Sequence, residues 1–572
     1  MAKRKVADII VDTLQAAGVK RCYGVVGDTL NHITDAIRRS DIAWVHMRHE
    51  EAGAFAAGAE AYMTGALTAC AGSCGPGSLH FINGIFESHR NRAPVVLIAS
   101  QVNSFELGVD FPQEVDFKPI YKTCSVFCEQ LNSPGEARRL TTLAAQAALN
   151  LRGVAVLILP GDISAMEVEE GPAYAVHNPR PVVRPSDQEL DRIADILNAG
   201  GKIGVYAGAG CEGAHAQVVR FCETLQAPMA HTSRAKDFVE ADNPYDVGMT
   251  GIFGSKAGHH AVTECDTLVL LGCDFAWRQY YPKSAKVIQI DLDPTHLGRR
   301  HPVDIGVVGD IAATLDALQP LLMRQTDRRF LDARLHDHAE VLKDQTHQER
   351  PGKNGLIHPQ QLTRLIDAHA DDDAIFTADG GSPMVWALRH IRANGQRRTM
   401  VSLLHGTMAN AMPQALGLKK AFPNRQVISL SGDGGLAMLL GDLLTAIQEE
   451  IAIKVVVYNN GSLDFVELEM KVEGLLNAYT DLRNPDFAKL AEVIGLTAWR
   501  VDRNEDLEAA VVAFLAHPGP ALLDVKVNRV ELVMPAKVEA AQVVGMALYS
   551  AKAVLSGHAR DVADLVTTNF LE

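Results

Sequence analysis

Asp433 and Asn460 are the residues whose types and spacing most directly offer chemistry. Asp433 stands in Gly432-Asp433-Gly434-Gly435, directly after the apolar run Val427-Ile428-Ser429-Leu430-Ser431. Such a run is short enough for one buried strand stopped by a glycine turn. Leu436 to Gln448 has the pattern of a helix, and Ile453 to Tyr458 that of a second buried strand delivering Asn459-Asn460. Two parallel strands joined by one helix finish at the same sheet edge, where open α/β sheets bind ligands. A carboxylate and an amide oxygen side by side at that edge suit a magnesium ion holding a diphosphate, because this metal takes few protein ligands and shares phosphate oxygens. An ordinary crossover whose glycines only make the turn would explain either half alone; the two halves together favour metal and diphosphate.

Other stretches carry weaker signals. Glu50, in Arg48-His49-Glu50-Glu51, lies at the end of a short strand and before a small-residue helix, and by itself reads as a solvated acidic helix start. Tyr206-Ala207-Gly208-Ala209-Gly210-Cys211 follows a strand, a glycine pattern that turn geometry explains about as well as a ligand does. Gly251-Ile252-Phe253-Gly254 is a glycine-spaced loop that lets backbone approach a ligand, and Asp291-Leu292 ends a strand where an acidic group meets a ribose. Asp274 and Asp310 are further candidate contacts, each also explicable as a strand-end carboxylate.

The elements that must position these residues form more than one core. With 572 residues, 47% hydrophobic and 22% charged, the chain reads as a soluble protein of several domains. Residues 1–182 alternate helical and strand patterns: a helix over Val6 to Ala17, a short strand with a turn over Tyr23 to Asp28, strands at Trp44 to Met47, Leu67 to Ala71, Pro94 to Ser100 and Val154 to Leu159, and an alanine-rich helix over Ala52 to Met63. A linker marked by Pro172, Pro179, Pro181 and Pro185 leads to residues 183–334, with strands at Ile203 to Ala207, Thr267 to Gly272 and Lys286 to Ile290. Leu322 to Pro359 is highly charged and reads as a second connector. Residues 335–530 hold the Asp433 motif and end on Ala521 to Val527, and residues 531–572 form no core of their own.

A net charge of −15 argues against a nucleic-acid surface. No apolar run approaches a membrane span, so membrane contact is expected to be peripheral. Met1-Ala2-Lys3-Arg4-Lys5 is basic but leads into an amphipathic segment rather than an apolar signal core. Nine scattered cysteines fit free thiols in a reducing cytoplasm.

Gly432-Asp433-Gly434, the crossover and Asn459-Asn460 together resemble the diphosphate and magnesium signature of thiamine diphosphate enzymes. The resemblance implies three doubly wound parallel-sheet α/β domains: pyrimidine-binding (1–182), FAD-binding (183–334) and diphosphate-binding (335–530). It implies Asp433, Asn460 and Ser462 as the magnesium ligands. Arg48-His49-Glu50 followed by Ala54-Phe55-Ala56-Ala57-Gly58 is similar to the family segment whose glutamate faces the cofactor's pyrimidine, favouring the tautomer that deprotonates the thiazolium carbon. Glu50 is therefore expected to be the activator. His405-Gly406-Thr407-Met408 matches the loop that grips the aminopyrimidine, with Met408 as the bulky residue bending the cofactor. Gly208, Gly210, Gly251 to Gly254, Asp274, Asp291, Leu292 and Asp310 are the positions similar to the FAD-binding branch.

Gly461-Ser462-Leu463-Asp464-Phe465-Val466-Glu467 is similar to the quinone-linked pyruvate dehydrogenase branch, also called pyruvate oxidase, and the likeness extends over almost the whole chain. It implies oxidative decarboxylation of pyruvate to acetate, Phe465 on the electron route to FAD, ubiquinone as acceptor, and a homotetramer built from dimers. It further implies a cytoplasmic protein peripheral to the inner face of the cell membrane. Two positions depart from the branch: Pro112 stands where members commonly have an aromatic, and Asp464 where they have glycine. Val562, Leu565, Val566 and Phe570 fall at helical spacing, and in the branch this end binds membrane lipid. Its last residues lack lysine and arginine, so apolar burial must dominate over charge. The nearest rivals are an acetolactate synthase-type carboligase, whose expected tryptophan is missing after Asn460, an oxygen- and phosphate-dependent pyruvate oxidase, and a catalytically dead scaffold protein.

Overall fold

The computed structural model describes residues 3–169, 174–349, 355–533 and 540–571, so Pro172 of the linker lies outside the described residues. Three six-stranded, all-parallel sheets follow one another along the chain. Their strands are short apolar runs buried on both faces by helices, as in Val95–Gln101, Val154–Pro160 and Lys454–Asn459.

In the first sheet the strands lie in the order Ala43–His46, Arg21–Gly24, Thr68–Gly72, Val95–Gln101, Val154–Pro160, Phe127–Gln130. In the third the order is Arg398–Val401, Ile375–Ala378, Val427–Gly432, Lys454–Asn459, Ala521–Lys526, Thr497–Val501. Counted within each domain, both run 2-1-3-4-6-5, so the shared plan of the outer regions is a shared topology. The middle sheet differs, with the order 3-2-1-4-5-6 characteristic of dinucleotide-binding folds.

The outer domains share one apolar core. Helix Glu50–Thr64 packs along helix Ala411–Ala421 so closely that a Cβ on Gly417 would lie 2.7 Å from the Ala56 carbonyl carbon. Glu87 reaches across to the Ser402 hydroxyl at 2.7 Å, and the Arg48 amide donates to Asp442 at 2.9 Å.

Several elements differ from the sequence expectation. Glu50 is not at a strand end: the strand stops at His46, and Glu50 is the first residue of its helix, with His49 as N-cap accepting from the Glu51 amide. The helix expected over Leu436 to Gln448 starts at Asp433 and is broken into Asp433–Met438, a 3-10 turn Leu440–Asp442 and Leu443–Gln448. The break lets the buried Asp442 carboxylate turn to Arg48 and Thr445. The charged connector contains a 20-residue helix, Arg329–Gln348, which buries Leu331 and lays Phe330, Leu335 and Val341 on the middle domain. Few apolar residues suffice because only one face of this helix is covered.

Beyond residue 540, helices Ala540–Leu555 and Ala559–Val566 fold back on the third domain. Gly545, Tyr549 and Ala553 form the buried stripe of the first, which lies across helix Asp464–Val472. Of the expected apolar stripe, Leu565 is buried and Val566 is 40% exposed; the Phe570 side chain lies outside the described residues.

Candidate active site

The Asp433 turn and the Asn460 loop meet as the crossover requires. Strands Val427–Gly432 and Lys454–Asn459 are adjacent and parallel, Gly432 facing Tyr458 in register. The Asp433 carboxylate accepts from the Gly461 amide at 2.7 Å, the Gly434 amide at 2.8 Å and the Asn484 amide group at 2.7 Å. Burial raises the Asp433 carboxyl above the ordinary range, and the hydrogen bonds to Gly461, Gly434 and Asn484 oppose that rise. The Asn460 side-chain oxygen accepts from the Ser462 amide at 2.9 Å. Ser462 itself spends its hydroxyl on Glu467 at 2.7 Å, so the serine would offer a metal its carbonyl rather than its side chain. A cleft of about 230 Å³ opens beside Asn460 and Gly461, walled by Leu482, Asn484, Arg500 and Lys526.

Above Gly434, three apolar side chains converge. A Cβ on that glycine would lie 3.0 Å from Leu463, 3.2 Å from Leu482 and 3.3 Å from the Met408 methyl. Gly435 is held just as tightly from below, since its Cβ would lie 2.8 Å from Asp379 Cγ. A buried carboxylate and a half-buried amide oxygen, beside glycines with no room for a side chain, fit a hydrated magnesium and a diphosphate. The loop Gly406, Thr407, Met408 is tied to the first domain through Asn83, which donates to Thr407 at 3.0 Å and accepts from His405 at 2.8 Å.

Glu50 is 8% exposed, and its carboxylate meets His80 Nδ1 at 2.9 Å. The His80 ring stacks on His49 with centroids 4.8 Å apart. Glu50 Oε1 lies under the Gly75-Pro76-Gly77 turn. Among the described residues, no hydrogen bond or ion pair joins Glu50 to the Asp433 turn within the chain.

Asp464 is not turned out to solvent. It is half-buried at the start of helix Asp464–Val472, with its carboxyl hydrogen-bonded by Ser382. Burial, reinforced by the nearby Glu467, pushes its pKa up to about 7. Glu467 is in turn neutralised by Lys471 at 2.8 Å and Arg529 at 2.8 Å. Phe465 is half-buried against the third-domain core, and Phe253 of the middle domain packs on the same apolar cluster. Val466 is 41% exposed, and Phe111 and Pro112 both lie at the surface of the chain.

In the middle domain, the turns after the first and fourth strands interlock, so that a Cβ on Gly210 would lie 2.7 Å from Gly272 Cα. Gly208 makes the same close approach to Gly272 and Cys273. Gly251, with φ +99°, lies under Phe275, and the neighbouring Thr250 hydroxyl is buried without a partner. That orphaned hydroxyl, beside glycine turns at the strand ends of a 3-2-1-4-5-6 sheet, fits a dinucleotide. Ile252 and Gly254 continue the loop, and Arg389 of the third domain donates to the Phe253 carbonyl at 3.0 Å. Asp291 is buried and meets His296 at 3.2 Å, while Leu292 is 58% exposed. Asp274 is clamped by Arg299 and Arg300, and Asp310 caps helix Ile311–Leu318 by accepting from Ala313 at 3.0 Å. Each of those two carboxylates therefore has a structural partner.

Three participants escaped the sequence reading. Asp379, buried at the end of strand Ile375–Ala378, accepts from the Ala411 amide at 2.9 Å and the Gly432 amide at 3.2 Å, joining the Met408 loop to the diphosphate turn. Its signal was present, because Asp379-Gly380-Gly381 repeats the acid and paired glycines of Asp433-Gly434-Gly435. Asn484 and His80 carried no such pattern.

Fold and site together define a cofactor-dependent α/β enzyme with two matched ligand-binding domains flanking a dinucleotide-type domain. Comparison with known proteins agrees domain by domain. Residues 4–120 match the N-terminal TPP binding domain of thiamine pyrophosphate enzymes, residues 190–318 their central domain, and residues 379–525 their C-terminal TPP binding domain. The putative thiamine pyrophosphate-containing protein YdaP of Bacillus subtilis is 33% identical over 563 residues, covering 96% of each chain. An acetolactate synthase of Arthrospira platensis is 31% identical, covering 91% of this chain and 94% of its own. A pyruvate oxidase of Lactiplantibacillus plantarum is 28% identical, covering 90% of this chain and 87% of its own. The chain belongs to the thiamine pyrophosphate enzyme family.

Proposed function

We propose that this enzyme oxidises pyruvate and water to acetate and carbon dioxide, passing two electrons and two protons through FAD to ubiquinone. The observation that supports the reading is that Phe253, from the middle-domain glycine loop, and Phe465, from the helix that follows Asn460, both pack on the third-domain apolar core. When bound, thiamine diphosphate supplies the electron sink for decarboxylation and FAD the two-electron acceptor.

The chain's own residues do the rest. Asp433 and Asn460, with the Ser462 carbonyl, would hold magnesium, which would in turn hold the diphosphate. Met408, Leu463 and Leu482 keep water from the turn over Gly434. Glu50, held by His80 Nδ1 on one oxygen, presents carboxylate charge to a basic ring nitrogen. Gly208, Gly210, Gly251 to Gly254 and Asp291 would hold the flavin, and Phe465 would help pass electrons to it.

We further propose a homotetramer of dimers in which Glu50 serves the partner's diphosphate site. Support comes from apolar side chains left bare on the single chain: Phe105 is 74% exposed, Val109 68% and Tyr479 fully. The enzyme is placed in the cytoplasm at the inner membrane face. No helix among the described residues is long and apolar enough to cross a membrane. The outer side of helix Ala540–Leu555, with Val543, Val544, Leu548, Val554 and Leu555 exposed, is the surface for lipid.

The test follows flavin absorbance of the anaerobic protein with magnesium, thiamine diphosphate and pyruvate, then adds a ubiquinone analogue. Bleaching followed by quinone-driven recovery is expected; acetolactate without bleaching refutes the proposal. Glu50→Gln should abolish pyruvate-dependent bleaching while flavin stays bound, and unchanged bleaching removes Glu50 from the activator role.

A further inference from the structure

We infer a second metal site, for zinc or a similar borderline transition ion, at the edge of the middle sheet and built from His231, Glu240 and Asp246. His231 ends strand Met229–His231, Asp246 begins the neighbouring edge strand Asp246–Met249, and Glu240 caps the short helix between them. The three side chains offer one donor atom each, all within 4.8 Å of one another.

The site stands on buried donors that the chain leaves short of ordinary hydrogen bonds. His231 is 0% exposed and Asp246 8%, yet Nε2 of the first and Oδ1 of the second lack hydrogen-bond partners. Buried polar atoms of this kind are rare, and each requires an account. Nε2 lies 3.4 Å from Glu240 Oε2 and 3.5 Å from Asp246 Oδ1, beyond an ordinary N–H···O bond. Those separations match the edges of a zinc tetrahedron, about 3.3–3.5 Å for metal–ligand bonds of roughly 2.0–2.1 Å.

The surroundings orient the donors as a metal requires. His231 Nδ1 faces the Thr232 carbonyl at 3.1 Å, which keeps the proton on that nitrogen and turns the Nε2 lone pair toward the carboxylates. The Gly248 amide holds Asp246, and Lys236 holds Glu240 through both oxygens at 2.7 and 2.8 Å. An imidazole in the donor set selects zinc-like ions over magnesium, so this site does not duplicate the oxygen site at Asp433. His338, on the connector helix Arg329–Gln348, has a buried unpartnered Nδ1, packs on Gly248 and is within electrostatic range of Glu240 and His231.

The test uses the full chain, stripped by a chelator and reloaded with saturating magnesium and thiamine diphosphate, then titrated with zinc and separately with cobalt(II). One zinc per chain, tetrahedral cobalt bands and a zinc-dependent rise in Tm are expected. Asp246→Asn and Glu240→Gln should each weaken zinc binding at least about tenfold, the loss that even changes around a metal's ligands cause. Absence of a zinc equivalent in the folded wild type overturns the inference, as does either folded variant binding zinc as tightly as the wild type. If Asp246→Asn does not fold, Glu240→Gln, whose side chain is 25% exposed, decides.

Discussion

Gly545→Ala tests whether the C-terminal helices are latched to the active-site helix. Gly545 lies where helix Ala540–Leu555 crosses the end of helix Asp464–Val472, and an added Cβ would sit 2.6 Å from the Val472 carbonyl carbon and closer still to its oxygen. The obstacle is backbone, so the helix must lift rather than a side chain swing aside. Overpacking by one methyl costs about 1–3 kcal/mol, which raises the undocked-to-docked ratio roughly 5- to 150-fold. Alanine is the better helix former by roughly 1 kcal/mol, so fraying of the helix itself cannot produce the effect. The remaining contacts resist only in part: Lys552 donates to the Gly474 carbonyl at 2.8 Å, and Lys471 lies 5.5 Å from the Tyr549 ring centroid. Hydrogen exchange and limited proteolysis of residues 540–571 read the opening directly. Protection equal to wild type, in a variant shown to fold, would refute the docking geometry.

Asp433→Asn should lower magnesium-dependent retention of thiamine diphosphate at least about tenfold, as loss of a metal ligand does, measured by cofactor release on gel filtration; undiminished retention rules out the metal role. Asp464→Asn probes the half-buried carboxyl whose pKa rises from 3.8 to about 7. Because the folded state holds this proton more tightly than the unfolded one, wild-type stability falls as pH climbs through that window. The Tm advantage of the variant should therefore grow from pH 4 to 7 and level off above, and a pH-independent difference contradicts the burial. Deleting the chain from Ala540 should abolish liposome binding, whereas deleting it only after Gly557 should leave much of it, since the exposed apolar face lies on helix Ala540–Leu555. Equal loss from both deletions would return the lipid surface to the final helix.

Much of this protein was legible before folding. Parallel strands buried on both faces are continuous apolar runs, and the glycine turns that stop them sit next to the residues they deliver. Asp433 and Asn460 could be placed together because one crossover fixes both at the same sheet edge. The broken helix after Asp433 was not legible, because the partner that breaks it, Arg48, is 394 residues away from Asp442. The connector helix Arg329–Gln348 was missed for a related reason: its few apolar residues are enough only because the middle domain lies under them.

The sequence by itself determined the α/β alternation and the residues at the strand ends, since these depend on local periodicity and turn chemistry, and its resemblance to thiamine diphosphate enzymes supplied the three-domain plan and the cofactor class. Tertiary structure alone decided what those residues touch. It gave Asp464 to Ser382, the Ser462 hydroxyl to Glu467 and Glu50 to His80, and it brought His231, Glu240 and Asp246 into one buried cluster. Hydrogen bonds and charge balance act over a few ångströms in space, and packing, not spacing along the chain, sets which side chains come within that range.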